Sequence, residues 1–453
     1  MAELQQKLQK LAETILKTVT DAKANGAIQP EQEVLWKWNV NEFEYGESGI
    51  TQSQASGQYI TRKAWFKASL TLLKAILEAP EFSSVLADLQ TAYPTATKGD
   101  FERFAGAILQ NYLSIDSTDE VRGKNEETQR RFLNDLSGGL VLYNGKVELQ
   151  GVTLQPTSIS LNAGINLRQP TREDLEKETR LIGPWGHTMS HPSAILEVEL
   201  RATRGSNALL QGEIEKAVAL LRLYDVGSVK WSSYETWSDS LLDLFGQGAT
   251  MKSGEQSHAL ETYYIKAETE SNLKKFWHSM SASLPKDVYA LETKQVSHIT
   301  LAYDRYSDGL LHNGIFERRI ANAVMGVEAL FLEENQELSY RLELRTSKLL
   351  SLVGRNPLEV RRIVHDCYGI RSAFAHGGHS TYKQKKKLEG RYGNLKKVLY
   401  SILDYLRVSI VVMIFCRAGK DEIVDLLDDS LLDSGQHLQL QNRVHDAKAV
   451  LEA

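Results

Sequence analysis

Hydrophobic positions show three textures along the chain. Over residues 1–135 they recur at helical spacing, as in Leu4, Leu8, Leu11 and Ile15, and again in Phe66, Leu70, Leu73 and Ile76. The polar stretch between these runs, with Gly46, Gly49 and Gly57, predicts a loop. Trp36, Trp38 and Trp65 flank it and read as core and loop anchors. Over 136–290 the period shortens. Residues 138–145 (GGLVLYNG) predict a strand followed by an Asn-Gly turn, and 147–149, 159–161 and 194–200 (AILEVEL) continue the strand signal. A helix is expected over 213–224, with Ile214, Ala217, Val218 and Leu221 on one face. Over 291–453 the pattern is helical again. Ile320, Val324, Val327 and Phe331 form one stripe, and Leu338, Leu342, Leu349 and Val353 repeat it. Pro357 opens a short helix expected to reach 368. Leu395, Leu399, Ile402, Leu406, Ile410 and Met413 line a long one. The expected fold is α+β and mostly α: a helical N-terminal region (1–135), a small mixed α/β sensor or regulatory region (136–290) and an antiparallel helical bundle (291–453).

Composition narrows the class. A chain of 453 residues suggests two or three domains. Hydrophobic residues at 42% and charged residues at 25% exclude a largely disordered or collagen-like chain and a membrane protein. With 53 Lys and Arg against 58 Asp and Glu, the net charge is −5. A uniformly basic nucleic-acid binder is excluded; a local basic patch is not. Cys367 and Cys416 are too few for a disulfide framework or a Cys-rich zinc site, which points to a reducing compartment. The N-terminus lacks the apolar core of a signal peptide. The longest apolar run, 408–416, is far short of the ~20 residues that cross a bilayer. The expected location is cytoplasmic, with no membrane partner.

Several chemistries fail on spacing. Residues 139–146 mimic a P-loop, but five residues separate the glycines and Val147 stands where a Ser or Thr should hold magnesium, so a hairpin is the better reading. His187 and His191 lie at i, i+4 beside Gly186 and Pro192, in a loop-like setting. His365, Cys367, His376 and His379 are close in sequence, but their spacings match no usual zinc site. No metal and no other cofactor is expected.

One segment carries a plausible chemistry. Arg371 and His376 stand five positions apart, separated by Ser372, Ala373, Phe374 and Ala375 and followed by Gly377 and Gly378, which can end a helix. Such a pair suits phosphodiester cleavage in RNA. A histidine can deprotonate the 2′-hydroxyl or protonate the leaving oxygen near neutral pH. A guanidinium can bind the phosphate and offset the charge that builds there. The internal nucleophile removes the need for a metal. Arg180–His187 and Arg305–His312 show similar spacing, but only Arg371–His376 is framed by a short helix, a double glycine and a long apolar helix. A basic stretch follows: Lys383, Lys385, Lys386, Lys387, Arg391, Lys396 and Lys397. It either tracks an RNA backbone or forms a solvated helix face. Beyond it the chain turns acidic at Asp421, Glu422, Asp425, Asp428 and Asp429.

On these residues the C-terminal third resembles a HEPN domain, a helical superfamily whose signature is Arg, four to six residues, then His. It is most similar to the ApeA-like branch, through RRIANAVMGVEAL (318–330), Leu349-Leu350 and YGIRSAFAHG (368–377). Segments 165–168 and 219–227 are similar to stretches that precede such domains. The resemblance implies a metal-independent endoribonuclease that acts as a toxin or as an antiviral, abortive-infection effector. RNA would be its substrate, a phage-derived signal a possible trigger, and a homodimer through the C-terminal bundle its assembly. Arg371 would stabilise the phosphate and His376 would act as acid–base. Ser372 stands where many active members carry Asn, Asp or His; its hydroxyl can still hydrogen-bond. Lys383, Lys385, Lys386, Lys387 and Arg391 would bind RNA. Some members of the superfamily only bind nucleotides or dimerise, which leaves a non-catalytic module as the alternative.

Overall fold

The architecture comes from a computed structural model, which describes residues 2–114, 118–176, 178–180, 191–243, 249–252, 262–290, 296–311, 314–333, 336–377 and 382–452. The N-terminal region begins with α1 (Ala2–Ala24), continues through two long strands, β1 (Glu31–Gly46) and β2 (Gly49–Ala64), and closes with α2 (Phe66–Leu77), α3 (Pro80–Ala92), α4 (Lys98–Ser114) and α5 (Thr118–Leu136). Leu4, Leu8, Leu11 and Ile15 are buried against the other helices, as their spacing requires. Two expectations fail here. In α2 the buried residues are Ala68, Leu72 and Ile76, whereas Leu70 points to solvent at 72% exposure. The stretch expected to be a loop is an antiparallel ribbon, with Trp36 opposite Tyr59 and Trp38 opposite Gly57. Its signal is the period of two in Val34, Trp36, Trp38 and Val40. Gly57 serves close packing: a Cβ there would lie 1.9 Å from the Trp36 ring. Trp36 meets Trp38 and Tyr59 edge-on, at 5.5 and 4.9 Å between ring centres.

The middle region holds β3 (Val141–Gln150), β4 (Val152–Leu154), β5 (Ser158–Asn162), β6 (Ile165–Arg168), α6 (Arg172–Leu175), β7 (Glu178–Arg180), β8 (Ala194–Ala202), α7 (Asn207–Tyr224), β9 (Lys230–Ser238), β10 (Ala249–Lys252), β11 (Tyr263–Ile265), α8 (Glu270–Ser283) and α9 (Lys286–Tyr289). Six of these strands form one antiparallel sheet, ordered β10-β9-β3-β8-β6-β5. The hairpin expected at Asn144-Gly145 is absent. β3 runs straight through these residues as a central strand between β8 and β9. The glycine answers to packing: a Cβ on Gly145 would come within 3.0 Å of Ile214, on the helix α7 that covers this face of the sheet.

The C-terminal region is all helix: α10 (His298–Leu311), α11 (Phe316–Phe331), α12 (Leu338–Leu352), α13 (Pro357–Ala375), α14 (Tyr382–Tyr392), α15 (Leu395–Cys416), α16 (Lys420–Asp429) and α17 (Ser434–Leu451). The expected stripes of α11 and α15 are buried, apart from half-buried Leu395. The helix expected to stop at 368 continues to 375, so Arg371 lies within a helix and not beyond one. Asn356 starts it by accepting from the backbone N–H groups of Leu358 and Glu359, and Pro357 fits the first turn. By length and composition α15 is apolar enough to cross a membrane, but 78% of its apolar window is buried here among the other helices. α11 packs on α10, α13 and α15, and α12 packs on α13 and α16.

One apolar cluster runs from Val141 to Ala447, so the sheet and the bundle share a core. Polar contacts stitch the same seam. Arg407 in α15 is buried, and its Nη1 donates to the carbonyls of Leu223 and Tyr224 at the end of α7, each at 2.9 Å. Tyr306 donates to the Arg222 carbonyl at 2.8 Å. The N-terminal helices form a second cluster, joined by Leu241 and Leu242. Asp135 of α5 fixes that join by accepting from Ser240 Oγ and the backbone N–H groups of Leu241 and Leu242.

Candidate active site

The last turns of α13 place the residues singled out by the sequence. His376 caps the helix in a near-helical conformation (φ −91°, ψ 17°) and is exposed. Its backbone N–H donates to the Ser372 carbonyl at 3.2 Å. Gly377 follows at φ +73°, the left-handed region that ends helices cheaply only with glycine. Ser372 is half-buried on the turn between the two.

Arg371 is held from the neighbouring helix. Its Nη2 donates to Glu328 Oε2 of α11 at 2.9 Å, with 28% and 14% of the two side chains exposed. The pair is incomplete. Arg371 Nε and Glu328 Oε1 are both buried without a hydrogen-bond partner. Burial lifts the Glu328 carboxyl above the ordinary glutamate range, and the attraction of Arg371 only partly offsets it. At about 100° per residue, His376 sits about 140° round the helix from Arg371. The two share the end of α13 but not one face of it. Glu328 had no local spacing to announce it. Its one signal was its place as the lone acidic residue in the apolar 318–330 run.

The basic stretch divides between two helices: Lys383 to Arg391 lie on α14, which lies beside α13 and packs on α15, and Lys396 and Lys397 open α15. Its cations divide. Lys385 pairs with buried Glu317 of α11 at 2.5 Å, and Arg391 with Asp366 of α13 at 2.6 Å. Tyr392 also donates to Asp366, at 2.7 Å. These two basic residues tie α14 to the bundle. Lys386 and Lys387 are exposed and remain available to an anion, as the solvated face of the helix. The side chain of Lys383 lies outside the described residues.

Among the described residues no three His, Cys, Asp or Glu side chains gather as a metal site. Cys367 is fully buried, which pushes its thiol well above the usual range. His365, two residues earlier, points outward and bonds through Nδ1 to Glu343 Oε1 of α12 at 2.7 Å. His191 is exposed, with Nε2 3.1 Å from Ser53 Oγ. Arg305 pairs with Asp308 at 3.6 Å. His187, His312 and His379 lie outside the described residues.

Elsewhere in the bundle an arginine shows the opposite behaviour. Arg345 of α12 is 1% exposed, and it holds Asp428 of α16 through Nε at 2.9 Å and Nη2 at 2.7 Å. Its Nη1 donates to the Phe331 carbonyl at 2.6 Å.

Set against family models, curated proteins and solved structures, the chain shows no match. What the structure itself defines is a mixed α+β protein with a helical C-terminal region and a candidate Arg–His site at a helix end.

Proposed function

We propose that the chain is a metal-independent endoribonuclease of HEPN type, acting as a toxin or anti-phage abortive-infection effector. The observation that carries this is the exposed imidazole of His376 on the final turn of a helix that also presents half-exposed Arg371. His376 takes the proton of a 2′-hydroxyl, or gives one to the departing 5′-oxygen. The 2′-oxygen then bonds to phosphorus as the bond to the 5′-oxygen breaks, leaving a cyclic phosphate. Arg371, with 28% of its side chain exposed, offers guanidinium donors to the phosphate. Lys386 and Lys387 supply charge for the backbone nearby. Because Arg371 and His376 face different sides of one helix, a homodimer through the bundle would complete the cleft by joining the Arg of one protomer to the His of another.

Purified chain with total RNA in EDTA tests this. Cleavage by the wild type and not by His376→Ala is expected. Intact RNA with both, together with equal growth of hosts expressing either under phage challenge, would refute it.

One observation favours a second reading, a non-catalytic HEPN module that binds RNA or nucleotides or dimerises. The Arg371–Glu328 ion pair is half-buried, as a structural contact would be. Under that reading Arg371→Ala lowers stability and leaves RNA untouched.

A further inference from the structure

Between α13 and α14 runs a groove of about 150 Å³. It is lined by His365, Asp366, Gly369, Ile370 and Ala373 of α13 and by Lys387 and Leu388 of α14, with Asp366 engaged by Arg391 and Tyr392. Three features set it apart.

The first is the glycine. Gly369 lies inside a 19-residue helix and is exposed. A Cβ built there would meet nothing within 4 Å. Glycine in an exposed helix interior costs about 1 kcal/mol relative to alanine. Neither a positive φ nor a packing neighbour asks for it, unlike Gly145 or Gly57. Its absence of side chain leaves a flat strip of helix backbone open to a planar group.

The second is His365. Glu343, only 8% exposed, holds its Nδ1 at 2.7 Å and itself accepts from Ser339 Oγ at 2.9 Å. The ring is thereby oriented from behind, and Nε2 is left toward solvent at the groove's end.

The third is register. His365, Gly369, Ala373 and His376 follow one another at i, i+4, i+8 and i+11, which is one stripe of a helix. His376 therefore falls on the same stripe, past the Ala373 end of the groove and about 10 Å along the axis from Gly369.

We propose that this groove is a nucleobase subsite for single-stranded RNA. One base lies flat over Gly369 and Ala373, His365 Nε2 bonds to the base edge, and Lys387 meets the adjoining phosphate. The chain then passes to His376. This rests on the RNA-cleaving reading and deepens it, since the subsite would set which base stands beside the cleaved bond.

The test uses the full chain and single-stranded oligonucleotides of each base with 2′-fluoro riboses, which lack the nucleophile and cannot be cleaved. Fluorescence anisotropy reads binding, and thermal unfolding reads the fold. The wild type should bind one base class better than the others. Gly369→Leu, which fills the strip with a good helix former, should weaken binding at least tenfold without lowering Tm. His365→Ala should erase the preference between bases, and Lys387→Ala should weaken all four alike and flatten the salt dependence. Equal binding by wild type and Gly369→Leu, or no binding by the wild type, overturns the subsite. The nuclease reading fails separately: oligonucleotides bound with this pattern while natural RNA stays intact would remove the catalysis and keep the groove.

Discussion

Two contacts in the same bundle use an arginine and a carboxylate and do different things with them. Where α12 meets α16, Arg345 is sealed from solvent and its guanidinium is engaged by both oxygens of Asp428 and by a main-chain carbonyl. Where α11 meets α13, Arg371 makes a single bond to Glu328 and leaves Nε with none. A buried arginine whose donors are filled holds two helices in register. A half-exposed arginine held by one bond can change partners, which a phosphate ligand requires. The difference lies in satisfaction as much as in depth: a buried donor without a partner costs free energy and persists where something else maintains it.

The comparison can be broken from either side. His376→Ala gives the largest expected effect, a loss of RNA cleavage between about 10²- and 10⁴-fold with Tm unchanged, read on labelled RNA in EDTA. Next is Arg345→Ala, expected to cost about 3 kcal/mol in urea unfolding, because it opens a cavity and strips the Phe331 carbonyl of its donor. Arg371→Ala should cost only about 1 kcal/mol in the same titration. Equal losses for the two would make Arg371 a structural arginine and end the contrast. The pH dependence of stability is a finer probe. Because burial raises the Glu328 carboxyl in the folded chain, the unfolded chain releases that proton first. Stability should therefore fall as pH rises from the ordinary glutamate value through the raised one. Glu328→Gln should flatten that slope, and a slope unchanged by the substitution would show that Glu328 does not set it. The last effect expected is a gain: Gly369→Ala should stabilise the chain by up to about 1 kcal/mol, visible as a higher urea midpoint.

Much of the bundle was legible because its helices are long and their apolar positions keep one period, as in Ile320, Val324, Val327 and Phe331. Glycines misled where a turn was read into a packing requirement. Asn144-Gly145 has the composition of a hairpin turn, yet Gly145 is small because Ile214 lies on it. The ribbon at 31–64 was hidden because its second strand, with Thr51, Ser53 and Gln58, is polar on both faces and lacks an alternation to detect. At the site, Arg371 and His376 were found because they are neighbours in sequence. Glu328 and the Glu343–His365 pair were not, since only the packing of α11 and α12 on α13 brings those carboxylates near. The helix end itself was read too early, at 368, and the chain continues helical to Ala375.

The seam between sheet and bundle carries a consequence for how far the two parts can be separated. A fragment starting near residue 296 would keep Arg407 but lose the Leu223 and Tyr224 carbonyls that accept from it, and would uncover the apolar core shared with α7. Such a piece is an aggregation hazard. Under the nuclease reading, proteolytic release would therefore be a poor way to arm the protein, and control would have to act on the intact chain. The sheet and the bundle should melt as one cooperative unit.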